Sequence, residues 1–178
     1  MNGSVFLDTN ILVYAVEVGG PDPEKSDVAR KLTLQSGNVL STQVLGEFYR
    51  ATTSARRASP LTHEQASAWI AFWMQGDVRS VTPNEVRAAL SIVERFKIGY
   101  YDALILASAS SAGCDSVFSE DLNSGQNYDG VTVQNPFRTR QSPLFTSSQT
   151  APTLPWRSSR RAGCRRCRRP SACRRFRP

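Results

Sequence analysis

The sequence has very little histidine. His63 is the only one in 178 residues, and it follows Thr62 in "LTHEQ", a segment that reads as a helix start. A Ser–His–Asp or Cys–His enzyme needs an imidazole beside its nucleophile, so this scarcity argues against both. Cysteine is scarce where a fold would use it. Of four cysteines, Cys164, Cys167 and Cys173 fall in the last fifteen residues, and Cys114 stands alone behind an alanine-rich stretch. No disulfide framework is implied, and Cys114 reads as a buried free thiol. The three terminal thiols lack a histidine and sit among arginines, one ligand short of a closed zinc site. No run of eighteen apolar residues is present, which excludes a membrane-spanning helix on sequence grounds. The N-terminus has no basic region leading into an apolar stretch and a small-residue cleavage site, so a cytoplasmic protein is expected. GxxxxGK[ST] is missing, which excludes a P-loop.

Negative charge is missing from one end only. All 15 acids and 10 of the 22 basic residues lie in residues 1–137, a balance of −5. The 41 residues after Phe137 hold twelve arginines, no lysine and no acid. The overall charge of +7 therefore describes a tail attached to an acidic domain, not a basic nucleic-acid-coating domain. Two units are expected: a domain over 1–137, and an Arg/Pro/Ser-rich tail over 138–178 without periodicity, disordered by itself. Arginine without lysine, mixed with Pro, Ala, Ser and Cys, also suits a GC-rich frame read past the natural end.

What the domain does contain is alternation. Short apolar strands are expected at Val5–Asp8, Gly37–Thr42, "DVRSVTP", "DSVFSED" and "GVTVQNPF". Helical spacing links Val44, Leu45, Phe48 and Thr52, and further helices are expected at 10–16, 24–35, 64–75, 83–97 and "YYDALILASASSAG". Thr62 with Gln65 forms a capping box, and Pro83 suits the first turn of its helix. Strands alternating with helices give parallel βα crossovers, hence an α/β fold with helices on both faces of a mostly parallel sheet.

Ligands of such sheets bind beyond the carboxyl ends of the strands. Four acids stand where the elements can bring them there. Asp8 ends the first strand, Glu47 follows the second, Asp102 opens the most apolar helix, and Asp121 follows "SVFS". Each has a plain structural reading: helix cap for Asp8, solvent-facing charge for Glu47, helix-dipole partner for Asp102, Asx-turn for Asp121. Asp8 and Asp102 nevertheless abut strongly apolar sequence with no nearby Lys or Arg, where an unpaired charge costs several kcal/mol. A hard divalent cation removes the difficulty, and oxygen-only ligands suit Mg²⁺ or Mn²⁺. Arg50, Arg56 and Arg57 follow Glu47 and offer weak phosphate contacts. Trp69 and Trp73, spaced i, i+4, fit the core or a partner surface better than a base-stacking role.

"FLDTNILVYA", "LSTQVLGEFYR", "YYDALILASA" and "FSEDLNSGQNYDGVTVQNPF" resemble the PIN domain, specifically the VapC-type ribonuclease toxins of bacterial toxin–antitoxin pairs. The match covers about residues 4–137, in the right order and spacing. The resemblance implies a three-layer α/β/α sandwich and Mg²⁺- or Mn²⁺-dependent endonucleolytic hydrolysis of RNA. It also implies a homodimer and a small antitoxin partner. Its acidic quartet falls on Asp8, Glu47, Asp102 and Asp121, with Asp8 and Asp102 as principal ligands. Asn10 falls on the residue that braces the first Asp, and Ser119 on the small hydroxyl before the last acid. Glu120 is a spare acid beside Asp121, and the family spacing of hydroxyl, any residue, acid favours Asp121. Two other readings are an aspartate-nucleophile phosphatase and a non-catalytic nucleic-acid-binding scaffold that uses the arginine tail. Asn10 stands where the first would carry a second Asp, and the complete quartet argues against the second.

Overall fold

The triplet Val5-Phe6-Leu7 sits near the middle of the sheet in the computed structural model of the protein, which describes residues 3–18 and 20–138. Phe6 and Leu7 are fully enclosed, as apolar residues of a central parallel strand should be. In chain order the elements are β1 (Val5–Leu7), α1 (Thr9–Val16), α2 (Pro23–Thr33), β2 (Asn38–Ser41), α3 (Thr42–Thr52) and α4 (His63–Trp73). They continue as β3 (Asp77–Arg79), α5 (Pro83–Phe96), α6 (Tyr100–Ser111), β4 (Ser116–Phe118), β5 (Asn127–Tyr128) and β6 (Val131–Gln134). The expected tail over 138–178 lies outside the described residues, apart from Arg138.

The six strands run in the order β3-β2-β1-β4-β6-β5. All neighbours are parallel except the β5–β6 hairpin, where Asn127 faces Thr132. Sequence reading placed β6 and missed β5, because two residues carry no period. The turn chemistry was present: Asp129 and Gly130 both take positive φ, 52° and 102°, and Asp-Gly is a favoured pair for a tight hairpin.

Helices cover the sheet in a three-layer α/β/α arrangement. α6 lies against β2, β4 and β6 and packs along α5, while α1 packs along α2 and against α3. Every residue from Ala103 to Ala109 is buried, so α6 is apolar all round because protein surrounds it. The expected capping box of Thr62 with Gln65 forms, Pro83 opens α5, and a second capping box, Thr82 with Glu85, precedes it. Trp69 and Trp73 are 5% and 6% exposed and stack with ring centroids 5.4 Å apart, so they belong to the core. Cys114 is buried and free. Among the described residues no helix is long and apolar enough to cross a membrane.

The first three strands progress outward in one direction, β1 to β2 to β3, and the chain then returns to place β4 on the other side of β1. The carboxyl ends of β1 and β4 therefore flank a topological switch point, where such sheets open a crevice.

Candidate active site

Asp8 leaves the end of β1 with extended backbone and caps α1. Its N–H still belongs to the sheet, donating to the Phe118 carbonyl at 3.0 Å. One carboxylate oxygen accepts from the Thr9 N–H at 2.5 Å. The other accepts from the Ser119 hydroxyl at 2.6 Å and the Asn10 amide at 2.9 Å. The side chain is almost wholly enclosed. Burial raises its pKa from 3.8 to about 7, against the pull of the Ser119 and Thr9 hydrogen bonds and with added repulsion from Asp121 and Asp102.

Ser119, wholly buried, explains the preference for a small hydroxyl at the end of β4. It donates to Asp8 and accepts from the Asp121 N–H at 3.2 Å and the Leu122 N–H at 3.4 Å, which turns the chain out of the strand. The Asn10 amide nitrogen reaches Asp8 Oδ2, Asp121 Oδ2 at 3.2 Å and Ser119 Oγ at 3.4 Å, tying the ends of β1 and β4 together.

Glu47 projects from the second turn of α3. Its oxygens accept from the Thr9 hydroxyl at 3.0 Å and the Gln43 amide at 2.9 Å. Gln43 also donates to the Tyr101 carbonyl at 3.2 Å, joining α3 to the start of α6. Asp102 lies in the first turn of α6. Burial raises its pKa, and Asp121 and Glu47 raise it further. Gly99, the residue capping α6, lies close beside the carboxylate: a Cβ there would stand 2.9 Å from Asp102 Oδ2 and would displace that side chain.

The neighbouring acid goes elsewhere. Glu120 forms an ion pair with Lys25 and accepts from the Tyr14 hydroxyl at 2.7 Å. Burial pushes its pKa up, but the Lys25 and Tyr14 hydrogen bonds prevail and hold it below the ordinary range. Three consecutive residues thus serve three partners: Ser119 binds Asp8, Glu120 binds α1 and α2, and Asp121 meets Asn10.

Asp8, Glu47, Asp102 and Asp121 line one open cleft of about 940 Å³ with Asn10, Gln43, Arg50, Arg57, Tyr101 and Glu120. Among the described residues no Lys, Arg or His forms an ion pair with any of those four acids. They face a common space without closing on a point, since no three Asp, Glu, His or Cys of the described residues stand close enough to surround an ion. Like charges without a counter-charge hold apart. Two amide oxygens in the cleft wall, Asn10 Oδ1 and Gln43 Oε1, are buried and accept no hydrogen bond among the described residues. Four carboxylates and two orphaned amide oxygens form an oxygen-only donor set, which fits a hard divalent cation.

Of the three arginines, Arg50 is exposed on the cleft wall with no ion pair among the described residues, and Arg57 lines it but pairs with Glu17 at 3.1 Å. Arg56 is exposed and does not line the cleft. Sequence reading missed Thr9 and Gln43. Gln43 sits one helical turn before Glu47, and that i, i+4 spacing was the available signal.

The comparisons with known proteins agree with this architecture. The family model described as PIN domain matches residues 5–126. A sequence comparison with curated proteins returns no match. Among solved structures, Mycobacterium tuberculosis VapC20, a sarcin–ricin loop cleaving toxin, is 23% identical with a TM-score of 0.54, covering 66% of this chain and 92% of its own. A toxin–antitoxin complex from Klebsiella pneumoniae is 16% identical with a TM-score of 0.55, covering 75% and 98%. A DNA-bound VapBC from Salmonella typhimurium is 19% identical with a TM-score of 0.54, covering 75% and 98%. At these identities the likeness is one of fold.

Proposed function

The chain belongs to the PIN domain family, and on that premise we propose that it is a divalent-metal-dependent endoribonuclease, the toxin of a bacterial toxin–antitoxin pair. The observation that carries this reading is the meeting of Asp8, Asp102 and Asp121 in one cleft. Asp121 raises the pKa of both other acids there, and none of the three has a cationic partner among the described residues. For the enclosed Asp8 and the half-buried Asp102 a charge without a cationic partner is costly to keep, and a bound cation is the arrangement that makes the cost useful.

Asp8 and Asp102 are assigned as the principal holders of Mg²⁺ or Mn²⁺, with Glu47 and Asp121 completing the set. When bound, the ion supplies positive charge against phosphoryl oxygens and acidifies water. The chain's own contribution is placement. Thr9 and Gln43 aim Glu47, and Asn10 and Ser119 aim Asp8 and Asp121. Glu47 and Asp121 are the groups available to take the proton of the attacking water. Arg50 stands one turn beyond Glu47 with its guanidinium available to a phosphate. Asn10 donates to Asp8 where a phosphatase of the aspartate-nucleophile class would carry a second acid, which favours the nuclease.

The partner is assigned as a small antitoxin. A second cavity of about 450 Å³, lined in part by Val16, Val18, Leu61 and Trp69, adjoins the cleft and shares Glu17, Pro21 and Arg57 with it. An extended or helical segment docking there would end beside the carboxylates. A homodimer is expected from the family resemblance.

The test is inducible expression in a bacterium with sequencing of new RNA 5′ ends, wild type beside Asp8→Ala and Asp102→Ala. Wild type arrests growth and yields discrete new ends, and both variants yield none while remaining folded by circular dichroism. Equal cleavage by either purified variant ends the proposal.

A further inference from the structure

Tyr101 is 63% exposed, and every other Phe, Trp and Tyr among the described residues is buried or partly buried. Its exposure is not scattered surface. It lines the carboxylate cleft immediately before Asp102, in the first turn of α6. The other large exposed apolar side chains, Val18, Leu34, Met74 and Leu90, lie outside that cleft. Its mounting is also firm. Tyr100 packs edge-on against the ring with centroids 5.4 Å apart, and Gln43 holds the Tyr101 carbonyl while holding Glu47. One amide thus couples the aromatic platform to a cleft acid.

An aromatic face kept in water at that place wastes apolar area unless something flat covers it. RNA brings such a group with each nucleotide, and a base stacks on an aromatic ring whatever its identity. The cleft is lined by Arg50 on α3, available to a phosphate, by Tyr101 on α6, and by the four acids. We propose that Tyr101 stacks an unpaired base next to the scissile phosphate and so sets which nucleotides can flank the cut. This rests on the ribonuclease reading and deepens it. A base held in a duplex cannot present its face to the ring without unstacking, so the platform also selects against paired substrate at that position.

The test uses the full chain and a short single-stranded RNA with 2-aminopurine at successive positions. Binding is read by fluorescence quenching in an Asp8→Asn background, where no cutting interferes. One position quenches strongly; Tyr101→Ala removes that quench, and Tyr101→Phe keeps it. In the active protein, Tyr101→Ala raises KM about tenfold with kcat changed much less, as loss of one stacked base predicts. Tyr101→Trp restores KM. Undiminished quenching in Tyr101→Ala, or an unchanged KM, overturns the proposal. So does a shift in oligomeric state on ultracentrifugation with KM intact, which would make Tyr101 an interface residue. If wild type cuts no RNA, the ribonuclease reading fails, while the quenching arm still decides the stack.

Discussion

Asp8→Asn should remove activity and, without metal, make the protein more stable. Asp8 is 5% exposed and holds its proton up to about pH 7, against 3.8 for the unfolded chain. Between those values the unfolded state releases a proton that the folded state keeps, so stability falls as pH rises from about 4 to 7 and levels off above. The gap of roughly three pKa units corresponds to about 4 kcal/mol at pH 8. The amide of the variant cannot ionise and escapes this cost. Its amide nitrogen must face either the Thr9 N–H or the Ser119 hydroxyl and Asn10 amide together; turned toward Thr9 it loses one hydrogen bond, which returns about 1 kcal/mol. The net expectation is a gain of about 3 kcal/mol at pH 8 in EDTA, shrinking to about nothing at pH 4. Urea unfolding followed by tryptophan fluorescence across pH 4–8 measures it. Saturating Mg²⁺ should restore wild type by about 2.7 kcal/mol at a hundred times its Kd and leave the variant unmoved. Equal stability of the two proteins at pH 8 in EDTA would refute the reasoning that Asp8 is a strained carboxylate waiting for a cation. A wild type indifferent to Mg²⁺ would refute it equally.

Other consequences can be checked separately. Glu85 accepts from Ser111 at 2.6 Å and from the Thr82 N–H at 2.8 Å, and these bonds lower its pKa from 4.5 to about 2. Its contribution is therefore present above about pH 4.5 and fades as pH falls toward 2. Glu85→Gln should lower the urea midpoint at pH 7 and match wild type near pH 2. Phe48 is fully buried and meets Trp73 edge-on at 4.8 Å. Phe48→Ala should cost about 3–5 kcal/mol by calorimetry, and Phe48→Leu clearly less. Gly46 is exposed on the cleft wall of α3, with nothing within 4 Å of an added Cβ. Gly46→Ala should add about 0.5–1 kcal/mol of stability, read as a rise in Tm. Ending the chain at Arg138 should leave the melting transition and the metal dependence of cleavage unchanged, because every described strand and helix and all four cleft acids precede it.

Sequence by itself determined the alternation of strands and helices, the capping box at Thr62, the place of Pro83 at a helix start, the apolar character of α6 and the fold family. Those features are written in local pattern: apolar runs, the 3.6-residue period, and Ser, Thr or Pro at helix starts. It also singled out four acids by their places after strands and at a helix start, Asp8 and Asp102 further because charge against apolar sequence is visible without coordinates. Tertiary structure decided what local pattern cannot hold. That Asn10 spans Asp8, Ser119 and Asp121 follows from β4 lying beside β1, a pairing across 111 residues of chain. Asp121 and Glu120 are adjacent carboxylates of one short loop, and they part only because Lys25 and Tyr14 wait on one side and Asn10 on the other. Arg56 and Arg57 are likewise consecutive, yet only Arg57 lines the cleft, and it pairs there with Glu17. The reason is physical: backbone periodicity is encoded within a few residues, whereas the energy of a charge depends on what the fold brings within a few ångströms of it.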